Sequence, residues 1–290
     1  MSHRNIVAVV LWMTGALLSF SATAVAIREL APTFSAFEIL SMRSAAGVVI
    51  LAAAAIVRRE LRVGIGPHAI GMHVARNGVH FVATYAWTVG VTLLPLATVF
   101  ALEFTAPAWV GLLAVLFLGE RMTAPRLIAI VLGFVGVLVI LRPGLAALQP
   151  ASLIVLGSAF GFALTAIATK RLTRTDTTFA ILLIMNLIQL PLNLLGADAG
   201  FWNKIEPAHA LPLAGICIGG LMSHLCLTNA YRHGDAVMVV PLDFLRIPLI
   251  ALVAWMLYGE PLDPLVLLGS LCIIGGILWS LRAEARPKPT

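Results

Sequence analysis

"ALEFTAPAWVGLLAVLFLGE", residues 101–120, returns in outline as "PLDFLRIPLIALVAWMLYGE" at residues 241–260. At an ungapped offset of 140, Leu102 meets Leu242, Glu103 meets Asp243, Phe104 meets Phe244, and Gly119-Glu120 meets Gly259-Glu260. The same offset sets Gly136 on Gly276 and Leu141-Arg142 on Leu281-Arg282. Earlier, "FEIL" at 37–40 faces "FAIL" at 179–182, and "HFVATYAWTVG" at 80–90 faces "HLCLTNAYRHG" at 224–234. The last pair aligns His80 with His224 and Thr84 with Thr228. Each match is short, but all keep one order and nearly one spacing. The chain therefore reads as two copies of one unit, 1–145 and 146–290, divided near "RPGLAALQP" at 142–150.

The surroundings of these phrases decide the class. Of 290 residues, 60% are hydrophobic and 11% charged, and the mean hydropathy is +1.01. A soluble domain carries about 25% charged residues, so this chain could not cover its own surface in water. Runs of roughly 20 apolar residues read as transmembrane helices. Ten can be marked, near 6–26, 35–57, 70–91, 96–118, 126–141, 152–170, 178–196, 210–231, 236–258 and 265–281. They leave no room for a soluble catalytic domain. The first run also has the outline of a signal peptide, with Arg4, an apolar core and "AVA" at 24–26. Removing it would leave nine helices and break the repeat, so it is read as a span. The predicted fold is an all-α polytopic membrane protein of ten transmembrane helices, arranged as two inverted five-helix repeats.

The inversion follows from parity. Five is odd, so the second copy must start on the opposite side of the membrane from the first. That architecture is typical of secondary transporters, whose sites lie near the midplane between the repeats. The formal charge of +6 supports the same topology rather than a nucleic-acid partner. Thirteen of the 19 Lys and Arg residues fall on one side of the ten runs, three on the other, and three inside helices. By the positive-inside rule both termini are cytoplasmic. The three cysteines, Cys217, Cys226 and Cys272, have no metal-ligand spacing, so neither disulfide nor zinc is expected.

The "MRSAAGVVIL" helix with Arg43, the "LGERMTAPRLIAIVLGFVGVLVI" block and its "YGEPLDPLVLLGSLCIIGGIL" counterpart resemble the drug/metabolite transporter superfamily, EamA type. The resemblance covers essentially the whole chain, and its motifs are degenerate. It implies ten helices in two five-helix repeats and export of amino acids, drugs or other small metabolites. In length and layout the chain is similar to the YddG-type amino-acid exporters. One departure is plain: Met185-Asn186 stands where the first copy has Arg43-Ser44.

Polarity then selects the helices that line a path. The run 127–141 has no polar side chain and 265–279 has one hydroxyl, so both can face lipid. By contrast His73, Asn77, His80, Thr84 and Trp87 form a stripe at steps of three and four, as do Cys217, Leu221, His224, Thr228 and Tyr231. Polar stripes are expensive against hydrocarbon and should face inward. His80 and His224 are expected near the membrane centre on opposite walls of a solute cavity, with Thr84 and Thr228 one turn further along. The alternative is plain packing, since His and Thr also join membrane helices by hydrogen bonds. Trp109, mid-helix, could form a cavity wall or an ordinary packed position. Trp87 is read as an interfacial-belt residue.

Among the buried charges, Glu38, Glu103 and Asp243 balance Arg43, Arg76 and Arg246. Neutralising pairs are expected: Asp243 with Arg246 three residues on, Glu103 with Arg43, Arg76 near Asp243. Alternatively, Glu103 or Asp243 takes up a proton or a substrate ammonium group during turnover. No HExxH, GxSxG or Asp-rich motif appears, so the chain is not read as an enzyme; a metal site on His80 and His224 would need a converging carboxylate. The expectation is an inner-membrane exporter of small amphiphilic metabolites, amino acids first, working by alternating access without cofactor or metal, as a monomer or weak dimer in the bilayer. Translocation of a lipid-linked sugar or a drug is the alternative.

Overall fold

The computed structural model describes residues 5–62, 69–94, 99, 102–141, 150–259 and 264–285. Among these residues the secondary structure is helical, with no strand. The helices are α1 (Ile6–Leu30), α2 (Ala36–Val57), α3 (Ile70–Leu93), α4 (Ala106–Leu118), α5 (Ala124–Leu141), α6 (Ala151–Leu172), α7 (Thr178–Leu194), α8 (Ala210–His233), α9 (Ala236–Asp243), α10 (Arg246–Tyr258) and α11 (Pro264–Ala285). Six stretches are long and apolar enough to cross a membrane: Ile6–Leu30, Ala36–Val57, Ala151–Leu172, Pro207–His233, Ala236–Leu257 and Pro264–Ala283. Ala106–Leu118, Ala124–Ile140 and Thr178–Leu194 are shorter apolar helices. The boundary between the copies at 145/146, and Arg142 and Glu260 of the matched phrases, lie outside the described residues.

Local chemistry starts and stops these helices. Asn5 accepts the Ala8 amide, Thr177 accepts that of Ala180, and Ser35 and Glu38 exchange hydrogen bonds in a capping box. Gly119 and Gly259 are left-handed, with φ of 65° and 64°, a conformation that glycine reaches without a Cβ penalty. These two caps stand at the offset of 140. So do two interruptions: Leu102 and Glu103 are helical but 104–105 form a turn before α4, and 244–245 form a turn between α9 and α10. Pro107 and Pro248 follow the turns. Each lacks the N–H that would bond the carbonyl four residues back, and its ring crowds that carbonyl.

Packing joins the two parts of the chain helix by helix. α1 runs along α8, α2 along α7, α3 along α6, and α5 along α11; α4 packs on α6 and α9. The first four pairs are antiparallel, as their glycine contacts record. A Cβ at Gly234 would meet Val9 and one at Gly215 would meet Ala26, so α8 descends as α1 ascends. Likewise Gly90 abuts Val155 and Gly161 abuts Ala83, across α3 and α6. In the phrases "GSAFG" and "GICIG", Gly161, Gly215 and Gly219 are close-packing positions, whereas Gly157 faces open space. Between α5 and α11 the approach is backbone to backbone: a Cβ at Gly136 would lie 2.6 Å from the Gly269 carbonyl oxygen, and one at Gly269 would lie 2.6 Å from that of Gly136.

The α5–α11 pair carries large exposed apolar side chains such as Val131, Leu138, Leu268 and Leu271, as expected of a lipid-facing surface. α3 is 24 residues long, yet it is not among the six apolar stretches. Its polar stripe lowers its hydropathy, and that stripe faces the interior.

At Gly136 a side chain would meet both the Gly269 carbonyl oxygen and the Ile273 side chain at 2.6 Å, and overpacking costs on the order of 1–3 kcal/mol. Gly136→Val should lower the thermal midpoint of the detergent-solubilised protein, read by fluorescence-detected size-exclusion chromatography. Gly275→Val, where nothing lies within 4 Å, should leave it unchanged.

Candidate functional site: a central polar cavity

A cavity of about 280 Å³ lies between α1, α2, α3, α4, α6, α8 and the interrupted α9–α10 segment. Neither α5 nor α11 contributes to its lining. His80 and His224 face each other across it, ring centroids 6.0 Å apart and nearly perpendicular at 86°. Phe162 stands 5.9 Å beyond His80, and Phe20 stands 6.3 Å beyond His224. The four rings form a row: Phe162, His80, His224, Phe20. Phe20 and Phe162 share the offset of "FEIL" and "FAIL", a signal present in the sequence but not taken up above. Thr84 and Thr228 both line the cavity, and the Thr84 hydroxyl donates to the His80 carbonyl at 2.8 Å. His80 Nδ1 is buried and has no hydrogen-bond partner.

Trp109 does not line the cavity. It is 36% exposed and packs edge-on against Phe160 at 5.5 Å, on the outer surface of α4. It lies in the first turn of α4, turned away from the cavity. Trp87 has a partner that its sequence did not suggest. It is half-buried and donates its indole N–H to Glu103 at 2.8 Å.

Of the expected charge pairs the local one, Asp243 with Arg246, forms, and the other two do not. Arg246 bridges both cavity carboxylates, Glu103 and Asp243, each at 3.4 Å. Its guanidinium lies 4.8 Å from the centre of the Phe104 ring and 5.5 Å from that of Phe20. Glu103 thus pairs with Arg246 and not with Arg43, because α4 is packed on α9 rather than on α2. Arg76 donates to Thr169 at 3.0 Å and to Asn77 at 2.9 Å, and makes no ion pair with Asp243. Gln189 of α7 donates to Asn77 in turn. Glu38 stands apart from the cavity, capping α2 and bonded to Lys204 at 2.8 Å. Arg43 lines the cavity.

A second polar cluster joins α4 and α9. Glu120 accepts the amides of Ala236 and Val237 at 3.0 and 2.9 Å, a carboxylate placed at the positive end of a helix. It caps a helix more than a hundred residues away. Arg126 faces Asp235 at 3.6 Å, and Lys170 donates to the carbonyls of Tyr231 and Gly234. No group of three or more His, Cys, Asp or Glu suited to a metal ion occurs among the described residues.

Comparison with known proteins gives a consistent family. The model of the EamA-like transporter family matches twice, over residues 7–142 and 149–282. The riboflavin transporter of Rhizobium johnstonii is 32% identical over 218 residues, covering 74% of this chain and 71% of that protein. The S-adenosylmethionine uptake transporter of Rickettsia conorii is 25% identical over 74% of this chain and 73% of that protein. The pseudopaline exporter CntI of Pseudomonas aeruginosa is 25% identical over 88% and 89%. A solved crystal structure, 17% identical, superposes with a TM-score of 0.78 over 98% of this chain and 100% of that one.

Removing Arg246 would leave Glu103 and Asp243 without their shared cation; breaking a fully buried pair costs on the order of 3–5 kcal/mol, and less where, as here, Arg246 is 28% exposed. Arg246→Met should therefore depress the thermal midpoint by several degrees. Trp109→Leu should change neither the midpoint by more than a degree or two nor solute uptake.

Proposed function

Because the chain belongs to the EamA-like transporter family, a family of transporters and not of enzymes, we propose that it is a ten-helix secondary transporter made of two inverted five-helix repeats, 1–145 and 146–290. Five features support the architecture: two family matches, two interrupted helices, two left-handed glycine caps, paired antiparallel helices and the two-histidine cavity. Residues 236–258 count as one interrupted span, as does the span ending at Leu118. Exchanging the halves converts the α1–α8 contact into the α3–α6 contact. It maps the pairs α2–α7 and α5–α11 onto themselves.

That self-mapping supports alternating access. Two equivalent halves can open the cavity to one side or the other at similar energy, with the interrupted helices near the midplane supplying the site. The proposed setting is the bacterial inner membrane with both termini cytoplasmic, where thirteen basic residues gather on one side. His80, Thr84, His224 and Thr228 would contact the solute. The observation that carries the reading is the meeting of His80 and His224: residues 144 apart in sequence, on equivalent helices, 6.0 Å apart across a cavity.

The relatives are named for unlike solutes and for both directions of transport, so their names transfer only the class: a small organic metabolite. Small amphiphilic molecules, amino acids first, are the proposed cargo, because the cavity offers cationic and anionic side chains around an aromatic row. Export is the proposed direction, in keeping with the pseudopaline exporter, which aligns over 88% of this chain. A planar solute such as riboflavin is the second reading, supported by the four-ring row and by the riboflavin transporter of R. johnstonii.

Counterflow into proteoliposomes, with labelled amino acids and riboflavin as probes, separates these readings. His80→Ala and His224→Ala should each reduce exchange of the accepted solute by about tenfold or more, each removing a buried polar contact. Wild-type exchange by both variants would exclude the cavity as the site.

A further inference from the structure

Resting on the transport reading, one property of the cavity specifies the solute further: its charges do not cancel. Three guanidiniums, Arg43, Arg76 and Arg246, line it against two carboxylates, Glu103 and Asp243. Arg246 bonds both carboxylates. Arg76 is held by neutral partners, the Thr169 hydroxyl and the Asn77 amide oxygen. Arg43 makes no hydrogen bond and no ion pair among the described residues. With the imidazoles counted as neutral, one positive charge is left over.

Arg43 is nonetheless firmly aimed. Its aliphatic stem lies over Gly220 of α8, where a Cβ would stand 2.4 Å from Arg43 Cδ and 2.7 Å from Cγ. Glycine at 220 thus opens a slot that fits the stem and turns the guanidinium towards the cavity. The offset of 144 sets Gly220 opposite Arg76, and that of 142 sets Met185 opposite Arg43. Each of the equivalent junctions, α2 with α8 and α3 with α7, therefore carries one arginine, donated by the opposite partner in each. Both guanidiniums lie within electrostatic range of His80 and His224.

An uncompensated charge surrounded by hydrocarbon costs at least a few kcal/mol, and a guanidinium's planar fork matches a carboxylate. A single carboxylate cancels the excess; a phosphate dianion would overshoot it. We propose that Arg43, steered by Gly220 and flanked by Arg76, is the carboxylate-binding subsite of the cavity, and that the transported metabolite carries a free carboxylate.

The test uses full-length protein in liposomes. Each of the twenty labelled amino acids is counterflowed, and every one that wild type exchanges is run again as its carboxamide. Inorganic phosphate and acetate serve as competitors. Wild type should prefer acid to carboxamide by about tenfold or more, the scale of a charge-assisted hydrogen bond, with competition by acetate and not by phosphate. Arg43→Gln should abolish the preference. Gly220→Ala, which keeps every charge but displaces the stem, should weaken it, and Arg43→Lys should retain part of it. If Arg43→Gln does not fold, wild type and Gly220→Ala still decide. Equal exchange of acid and carboxamide, a preference that survives Arg43→Gln, stronger competition by phosphate, or exchange of riboflavin but of no amino acid would each overturn the carboxylate subsite and leave transport standing. No specific flux of any solute would sink the transport reading as well.

Discussion

Hydrocarbon cannot solvate a polar group, and everything in this molecule is arranged around that fact. A chain with 60% hydrophobic residues must still keep its arginines, histidines and carboxylates somewhere. Each can be stable only against a partner, a helix end or water. The structure uses all three. Arg246 takes two carboxylates, Glu120 and Glu38 cap helices, and His80, His224, Arg43 and Arg76 border the cavity. The apolar α5–α11 pair, having nothing to hide, stands outside them.

Close backbone approach provides the second half of the design. Between membrane helices there is little hydrophobic driving force, so contact area and small residues carry association. Gly136 against Gly269, Gly90 against Val155 and Gly234 against Val9 each allow an approach that any Cβ would prevent. Such contacts make rigid helix pairs. The interruptions after Glu103 and Asp243 then bring two charged groups to one place without continuous helices between them. Packed pairs beside broken helices are parts that the proposed alternating access would use.

Much of this was legible beforehand because membrane helices obey short-range rules. Period-3.6 stripes on the third helix and its counterpart foretold which faces turn inward, and His80, Thr84, His224 and Thr228 do border the cavity. Helix ends follow short-range rules too: Gly119 and Gly259, matched in the repeat, both end helices in the left-handed conformation. The pairing of charges was legible only within a helix turn, for Asp243 with Arg246. Depth along a helix can be counted from residues, but pairing depends on which helix is adjacent and on its rotation. Trp109 has the depth of a cavity residue and the azimuth of a surface one. Glu103 has the depth to reach Arg43, yet its neighbours are Trp87 and Arg246.

The transporter class came from the chain's resemblance to a family; composition and periodicity by themselves determined that this chain lives in a membrane, that it is helical, and which faces avoid lipid. These properties depend on local free energies: apolar length, caps, and the cost of polarity in hydrocarbon. Tertiary structure alone decided that Arg246 holds both carboxylates, that Phe20 and Phe162 extend the histidine pair into a row, and that Gly220 shelters the stem of an arginine more than a hundred residues away. Those contacts join helices remote in sequence at particular rotations, and rotation is set by packing the whole bundle at once.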